Sequence, residues 1–271
     1  MITDSVTTLG PEARGRAALA ASHGGIYAAY LAAKAGLKGV ILSDAGVGRE
    51  RAGIAGLFYL EQFGVAAAAV GHRSARIGDG RDCLERGIIT YANAPAASLG
   101  VSVGMMARHA LERLAEADRP PGREPPPRQE TRRRISDNEA PEMPVYALDS
   151  VSLVEAGDSG AIVLAGSHGA LLGGRAETAI KHDVFAAIFN DADFGADNAG
   201  VSRLPALDAR GIAGATVSAW SARIGDGLSI YRDGFVTALN ETAARYGGEI
   251  GSSAAELVRR FAEAHRKECR R

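Results

Sequence analysis

Residues 74–80 read SARIGDG, and residues 221–227 read SARIGDG again. The match reaches far beyond seven residues. A shift of 147 positions aligns 43–115 with 190–262 without a gap, and about 27 of those 73 positions are identical. Upstream, Ser22-His23-Gly24 matches Ser167-His168-Gly169, with two extra residues in the second copy. The chain therefore reads as two tandem homologous repeats. The residues kept in both copies are mostly Gly, Asp, Ser, His, Arg, Thr and Asn. These types favour turns, caps and polar sites over apolar cores.

Each copy carries the same order of elements. A short apolar strand, Ala17–Ala21 or Ala161–Ala165, ends at Ser-His-Gly. An Ala-rich stretch, 25–36 or 170–181, is expected to be helical. A second strand, Gly39–Leu42 or Val184–Phe189, ends at Ser43-Asp44-Ala45 or Asn190-Asp191-Ala192. A helix is expected over 50–63 and 197–210. A third strand, Val65–Val70 or Ile212–Val217, runs into SARIGDG, and one or two further helices are expected over 81–116 and 228–267. Continuous apolar strands alternating with helices predict a parallel sheet covered on both faces. The expected fold is α/β with three layers, a mostly parallel sheet or sheets, and two repeats related by a pseudo-twofold. The three polar motifs follow strand ends, the edge where open parallel sheets gather ligand sites.

Residues 118–144 hold seven of the ten prolines, mixed with charge. This composition predicts a linker or surface excursion, with a functional lid as the alternative. Arg132-Arg133-Arg134 within it can touch phosphate. The expected organisation is a first repeat over 1–116, a Pro/Arg-rich linker over 117–148 and a second repeat over 149–271. The formal net charge of −1 argues against a general nucleic-acid binder. No apolar run has membrane length, and the N-terminus lacks the order of a signal peptide. Two cysteines, Cys83 and Cys269, suggest neither a disulfide framework nor a cysteine-rich metal site. A cytoplasmic location is the default expectation.

Ser22-His23-Gly24 and Ser167-His168-Gly169 place a histidine at a strand end, where it can act as acid or base. The competing reading is a buried, hydrogen-bonded histidine in a glycine turn. Asp44 and Asp191 can orient such a histidine or accept a proton, or cap the next helix. Residues 191–197, DADFGAD, hint at a divalent cation without the full spacing of a calcium loop. In SARIGDG, Arg76 with Asp79 and Arg223 with Asp226 form either a substrate-anion site or an internal ion pair that fixes the turn. Thr90 with Asn93, and Thr237 with Asn240, are three apart and are expected on one face of a packing helix. The copies also differ: His72 and Arg73 become Ala219 and Trp220, and Cys83 becomes Ile230.

Strand, Ser-His-Gly, helix, strand and then VILSDAGVGRERAGIAGLFYLEQFGV (40–65) resemble caspase-like peptidase domains. The resemblance implies His23 or His168 in the catalytic-histidine role. It puts Ala45 or Ala192 where that family has its cysteine, and so implies no cysteine-peptidase activity. The leading expectation is a small-molecule hydrolase acting on an amide-type or anionic polar substrate. His23 or His168 is its acid/base and Asp44 or Asp191 the orienting carboxylate. Ser22, Arg76, Asp79, Ser167, Arg223 and Asp226 are the candidate substrate contacts. No cofactor or resident metal is expected from fingerprints, although a divalent metal stays open. The alternatives are a non-catalytic binding or scaffold protein with a caspase-like fold and a small-anion sensor; among partners, a small-molecule substrate is expected and a homo-oligomer is open.

Overall fold

In the computed structural model, residues 1–118, 125–135 and 143–269 are described. The chain divides into two compact units. The first is Met1–Gln129 with Leu172–Gly174 and Asp193–Ala199, and the second is Glu130–Leu171 with Arg175–Ala192 and Gly200–Arg271.

The first unit is built on strands β1 (Ile2–Thr3), β2 (Ala17–His23), β3 (Gly39–Ser43), β4 (Ala66–Val70) and β5 (Ile89–Ala92), side by side in that order. β1 to β4 run parallel and β5 is antiparallel to β4. Helices α1 (Ile26–Lys34), α2 (Ala55–Glu61), α3 (Gly80–Arg86), α4 (Ala94–Ser98) and α5 (Ala107–Ala115) cover the sheet. Alternate strand residues separate two cores. Ala18, Ala20, Val40, Leu42, Ala67 and Ala69 pack with Ala28, Ala29 and Ala32 of α1 and with Leu57 and Leu60 of α2. Leu19, Ala21, Ile41, Ala68 and Val70 pack with Cys83 of α3, Ala96 of α4 and Ala110 and Leu114 of α5. β4 reads Ala66-Ala67-Ala68-Ala69-Val70 and is wholly buried. Alanine is a poor strand former, so burial on both faces holds this strand rather than propensity. A Cβ on Gly39 would lie 2.9 Å from Leu114 Cβ, so glycine there sets the close approach of α5.

The second unit holds β6 (Arg132–Arg134), β7 (Val145–Leu148), β8 (Ile162–His168), β9 (Ala186–Asn190), β10 (Ala213–Val217) and β11 (Val236–Leu239), again in sequential order. β7 to β10 are parallel, and β6 and β11 are antiparallel edges. Its helices are α6 (Arg203–Asp208), α7 (Gly227–Asp233), α8 (Glu241–Arg245) and α9 (Ala254–Cys269). Ile162, Leu164, Ile188 and Ala215 pack with Ile230 of α7 and Leu257 and Phe261 of α9. Leu148, Val163, Ala187 and Phe189 pack on the other face with Leu207 of α6. Two mostly parallel sheets with helices on both faces make this an α/β chain of the expected three-layer type.

Four expectations are corrected. The stretch 170–181 contains no α-helix. Gly173 and Gly174 take left-handed φ values of 57° and 70°, and only a 3-10 turn, Ala176–Thr178, follows. The buried guanidinium of Arg203 donates to the carbonyls of Thr178 and Ala179 and anchors that irregular path. The stretches 81–116 and 228–267 are each interrupted by an antiparallel strand, β5 or β11. Thr90 and Thr237 lie on those strands, and Asn93 and Asn240 are the N-caps of α4 and α8, so the pairs share no helix face. Both asparagines make the same bonds. Asn93 Oδ1 accepts from the amides of Ala67 and Ala96, and its Nδ2 donates to the carbonyls of Leu57 and Val65. Asn240 repeats this with Gly214, Ala243, Leu204 and Ile212.

Within the expected linker, 119–124 and 136–142 lie outside the described residues. The rest is not a free excursion, because β6 and β7 fall inside 117–148 and belong to the second sheet. Arg132 there bonds Asp158 at 2.5 and 2.9 Å and lies 4.1 Å from the Tyr146 ring centre, so it is engaged within its own unit.

Candidate functional site

Adjacent parallel strands β3 and β4 end in register, Ser43 opposite Val70, and the Asp44 amide donates to the Val70 carbonyl at 2.8 Å. Both chains then leave the sheet together, which brings Asp44 beside His72. Asp44 is buried. Its Oδ1 accepts from the His72 amide at 2.8 Å, from His72 Nδ1 at 2.8 Å and from the Gly46 amide at 3.1 Å. Its Oδ2 accepts from the Thr90 hydroxyl on β5 at 2.9 Å. Gly71 is required between them, since a Cβ there would meet Thr90 Cγ2 at 2.6 Å. The far ring nitrogen, His72 Nε2, lies 3.0 Å from Asp193 Oδ2.

This imidazole therefore spans two carboxylates. Burial works against its cation, but the bond and charge of Asp44, joined by Asp193, outweigh burial and raise its pKa above 6.5. Burial likewise works against the Asp44 carboxylate, and His72 and Thr90 overcome it, so Asp44 titrates below its ordinary 3.8. An imidazolium donating from both nitrogens satisfies the geometry.

The Ser-His-Gly histidines are placed differently. His23 Nδ1 accepts from the Gly25 amide at 3.1 Å, and burial pushes its pKa down to about 4. It is a neutral acceptor inside a turn, and no hydrogen bond joins it to Asp44. His168 Nδ1 accepts from the Ala170 amide at 3.2 Å. Ser22 and Ser167 each accept a backbone bond at 2.9 Å, from Val6 and Val151. Asp191 Oδ1 accepts from the Ala219 amide at 2.8 Å, the counterpart of the Asp44 bond to the His72 amide. Alanine at 219 supplies no imidazole there.

In both SARIGDG segments the arginine pairs with the aspartate three residues on. Arg76 Nη2 lies 2.9 Å from Asp79, and Arg223 Nη2 lies 2.8 Å from Asp226. Asp79 Oδ1 also caps α3 through the Asp82 amide, and Asp226 Oδ1 caps α7 through the Ser229 amide, each at 2.9 Å. The turn is tied to the neighbouring strand by the Gly78 amide on Ala21 and the Gly225 amide on Gly166. The first copy adds charge. Arg76 also pairs with Asp82 and Asp197, both at 3.1 Å, and Arg86 pairs with the same two at 2.8 and 2.7 Å. Cys83 is buried at this turn, and burial pushes its thiol up to about 12, so it is no nucleophile.

The loops after β3 and β9 share an unusual backbone. Among the described residues, nine non-glycine residues have left-handed φ, and all nine are in these loops. They are Ala45, Val47, Glu50 and Arg51 in one, and Ala192, Asp193, Phe194, Asp197 and Asn198 in the other. Ala45 and Ala192, which the caspase-like resemblance sets at the cysteine position, are buried with φ of 47° and 48°. Such conformations cost about 1–3 kcal/mol each for residues with a Cβ and cluster at functional segments. Asp193–Ala199 belongs to the first unit, where the Ala196 amide donates to the His72 carbonyl at 2.7 Å.

Of the residues singled out in the sequence, Asp44 lies beside His72 and Thr90, and Arg76 lies beside Asp79, Asp82 and Asp197. The sequence reading gave Asp44 to His23, whereas its side-chain bond is to His72; it weighed Asp197 only for a divalent cation and Thr90 only for packing, and it did not single out Asp82 or Arg86. The available signal was the replacement of His72 by alanine in the second copy. Among the described residues no group of three or more His, Cys, Asp or Glu is arranged to hold a metal ion, and no helix is long and apolar enough to cross a membrane. Comparison with protein-family models, with curated proteins and with solved structures gives no match.

Proposed function

We propose that this chain is a small-molecule enzyme, a hydrolase of a polar anionic substrate, with His72 as its acid/base and Asp44 as the carboxylate that orients it. The observation that carries the reading is the bond from His72, half-buried, to the buried carboxylate of Asp44 at the C-terminal edge of parallel strands. That edge is where such folds place ligands, and a carboxylate-held imidazole is suited to take and return a proton near neutral pH. Left-handed backbone beside it is in keeping with a site held for function rather than stability. His23 is the weaker candidate, because its Nδ1 is committed and its basicity is low. The matched loops, caps and asparagines also support an origin by tandem duplication, with the acid/base group in the first copy alone. A reducing compartment fits the buried free thiol of Cys83.

The test is turnover across a panel of small carboxylated amides, lactams and esters. His72→Gln is expected to abolish activity while the protein stays folded, and His23→Gln to retain most of it. Activity that survives His72→Gln overturns the assignment. A second reading, a non-catalytic scaffold, is favoured by the closed pairing of Arg76 with Asp79, Asp82 and Asp197. On that reading Arg76→Ala lowers stability and no member of the panel binds or reacts.

A further inference from the structure

Two loop carboxylates occupy a set of cations in the first unit. Asp193 Oδ2 lies 3.0 Å from His72 Nε2 and 3.6 Å from Arg73 Nη2. Asp197 Oδ2 lies 3.1 Å from Arg76 Nη1 and 2.7 Å from Arg86 Nη2. At the matching loop positions the first copy has Gly46 and Glu50, and the positions matching His72, Arg73 and Arg86 are Ala219, Trp220 and Asp233.

The loop is held lightly at its outer end. Arg73 is 83% exposed and Asp197 53% exposed, and ion pairs that water reaches contribute little. Its backbone works against the same placement. Asp193, Phe194, Asp197 and Asn198 all take left-handed φ; Asp and Asn tolerate that region, and Phe194 does not. Three of the cations, by contrast, are fixed from below: His72 by Asp44, and Arg76 and Arg86 by Asp82.

We propose that His72, Arg73, Arg76 and Arg86 form a recognition site for a small dicarboxylate, which Asp193 and Asp197 occupy as an internal competitor. This rests on the functional reading above and names its substrate class. Ligand carboxylates that replace those of the loop leave no cation of the set unpaired. They also turn His72 Nε2 from Asp193 toward the ligand. Forked guanidinium donors match carboxylate geometry.

The test uses the full chain and calorimetric binding of succinate, glutarate and citrate at constant ionic strength, with acetate and chloride as controls. Asp193→Asn with Asp197→Asn is expected to bind at least one of the three acids about tenfold or more tighter than the unmodified protein. Arg86→Ala added to that pair is expected to remove the gain. Unchanged affinity for all three acids in a folded variant overturns the proposal, and so does a gain shared equally by acetate and chloride. If the double variant fails to fold, hydrogen exchange of the unmodified protein decides. Saturating acid should speed exchange of the Ala196 amide as the loop leaves, and unchanged exchange refutes displacement. Neither readout uses turnover, so loss of activity in His72→Gln and failure of binding here are separate outcomes.

Discussion

His72→Ala removes an imidazolium from between two carboxylates, and its cost can be bounded within the chain itself. Breaking a buried ion pair commonly costs about 3–5 kcal/mol, because the remaining charge is left without partners. Asp44 is not left so. It keeps the amides of residue 72 and Gly46 and the hydroxyl of Thr90. At the matching position Asp191 likewise accepts from a backbone amide, that of Ala219. The loss therefore reduces to one charge-assisted bond to Asp44 and a more accessible one to Asp193, about 2–3 kcal/mol together. With a urea slope of about 2 kcal/mol per molar, the transition that includes the first unit moves down by on the order of 1 M.

The effect has a pH signature. His72 is raised above 6.5 in the folded chain, so its contribution is complete below 6.5 and is lost as pH rises through the raised value. Asp44 is depressed below 3.8, so its contribution is present above 3.8 and is lost as pH falls through the depressed value. The gap between the two proteins is therefore widest near pH 5–6 and narrows in both directions. His23, lowered to about 4, also makes folding sensitive to acid, but it is present in both proteins and cancels in the difference. Urea titrations followed by circular dichroism from pH 3 to 9 measure this gap. Equal midpoints near pH 5.5, or a gap that grows toward pH 9, would refute the pairing.

Two further outcomes follow from the same geometry. Gly71→Ala drives a Cβ to 2.6 Å from Thr90 Cγ2, and overpacking of this kind costs about 1–3 kcal/mol. Thr90→Ser removes that methyl, keeps the hydroxyl on Asp44, and should recover most of the loss in a double variant measured by urea unfolding. An additive double variant would show that the clash does not act through Thr90. Cys83, buried with its thiol pushed up to about 12, should resist iodoacetamide at pH 8 in a Cys269→Ser background and react only once urea unfolds the chain; labelling of the native protein at the rate of a free thiol would contradict its burial.

The fold was legible because the strand signal survives poor propensity. Runs such as Ala66–Val70 are too apolar for an edge and too short for a helix, and that sufficed for a parallel sheet. The missed elements have physical causes. β5 and β11 are half-buried antiparallel strands of four residues lying next to helical sequence, with no alternation strong enough to stand apart. The missing helix at 170–181 turned on Gly173 and Gly174, whose left-handed φ stops a helix that the neighbouring alanines favour. Arg132–Arg134 resembled a solvated basic run, and only the pairing with Asp158 and Tyr146 converts it into an edge strand.

The candidate site was less legible, for a reason that bears on how chains with an internal sequence match are read. Residues kept in both copies were taken as the chemistry, yet most of them serve the fold. The shared asparagines cap helices and tie strands, the shared aspartates of SARIGDG cap α3 and α7, and the shared Ser-His-Gly residues accept backbone bonds. A frame used twice must be kept twice. Charge outside that frame need not be kept twice, and several charged residues around Asp44 and Arg76 stand where the repeats diverge. His72, Arg73 and Arg86 stand against Ala219, Trp220 and Asp233, while Asp193 and Asp197 stand against Gly46 and Glu50. His72, Arg76 and Arg86 meet Asp193 and Asp197 within the first unit. Sharing therefore marks mainly the frame, and Asp44 and Arg76, shared with Asp191 and Arg223, belong both to that frame and to the charged cluster around His72 and Asp197.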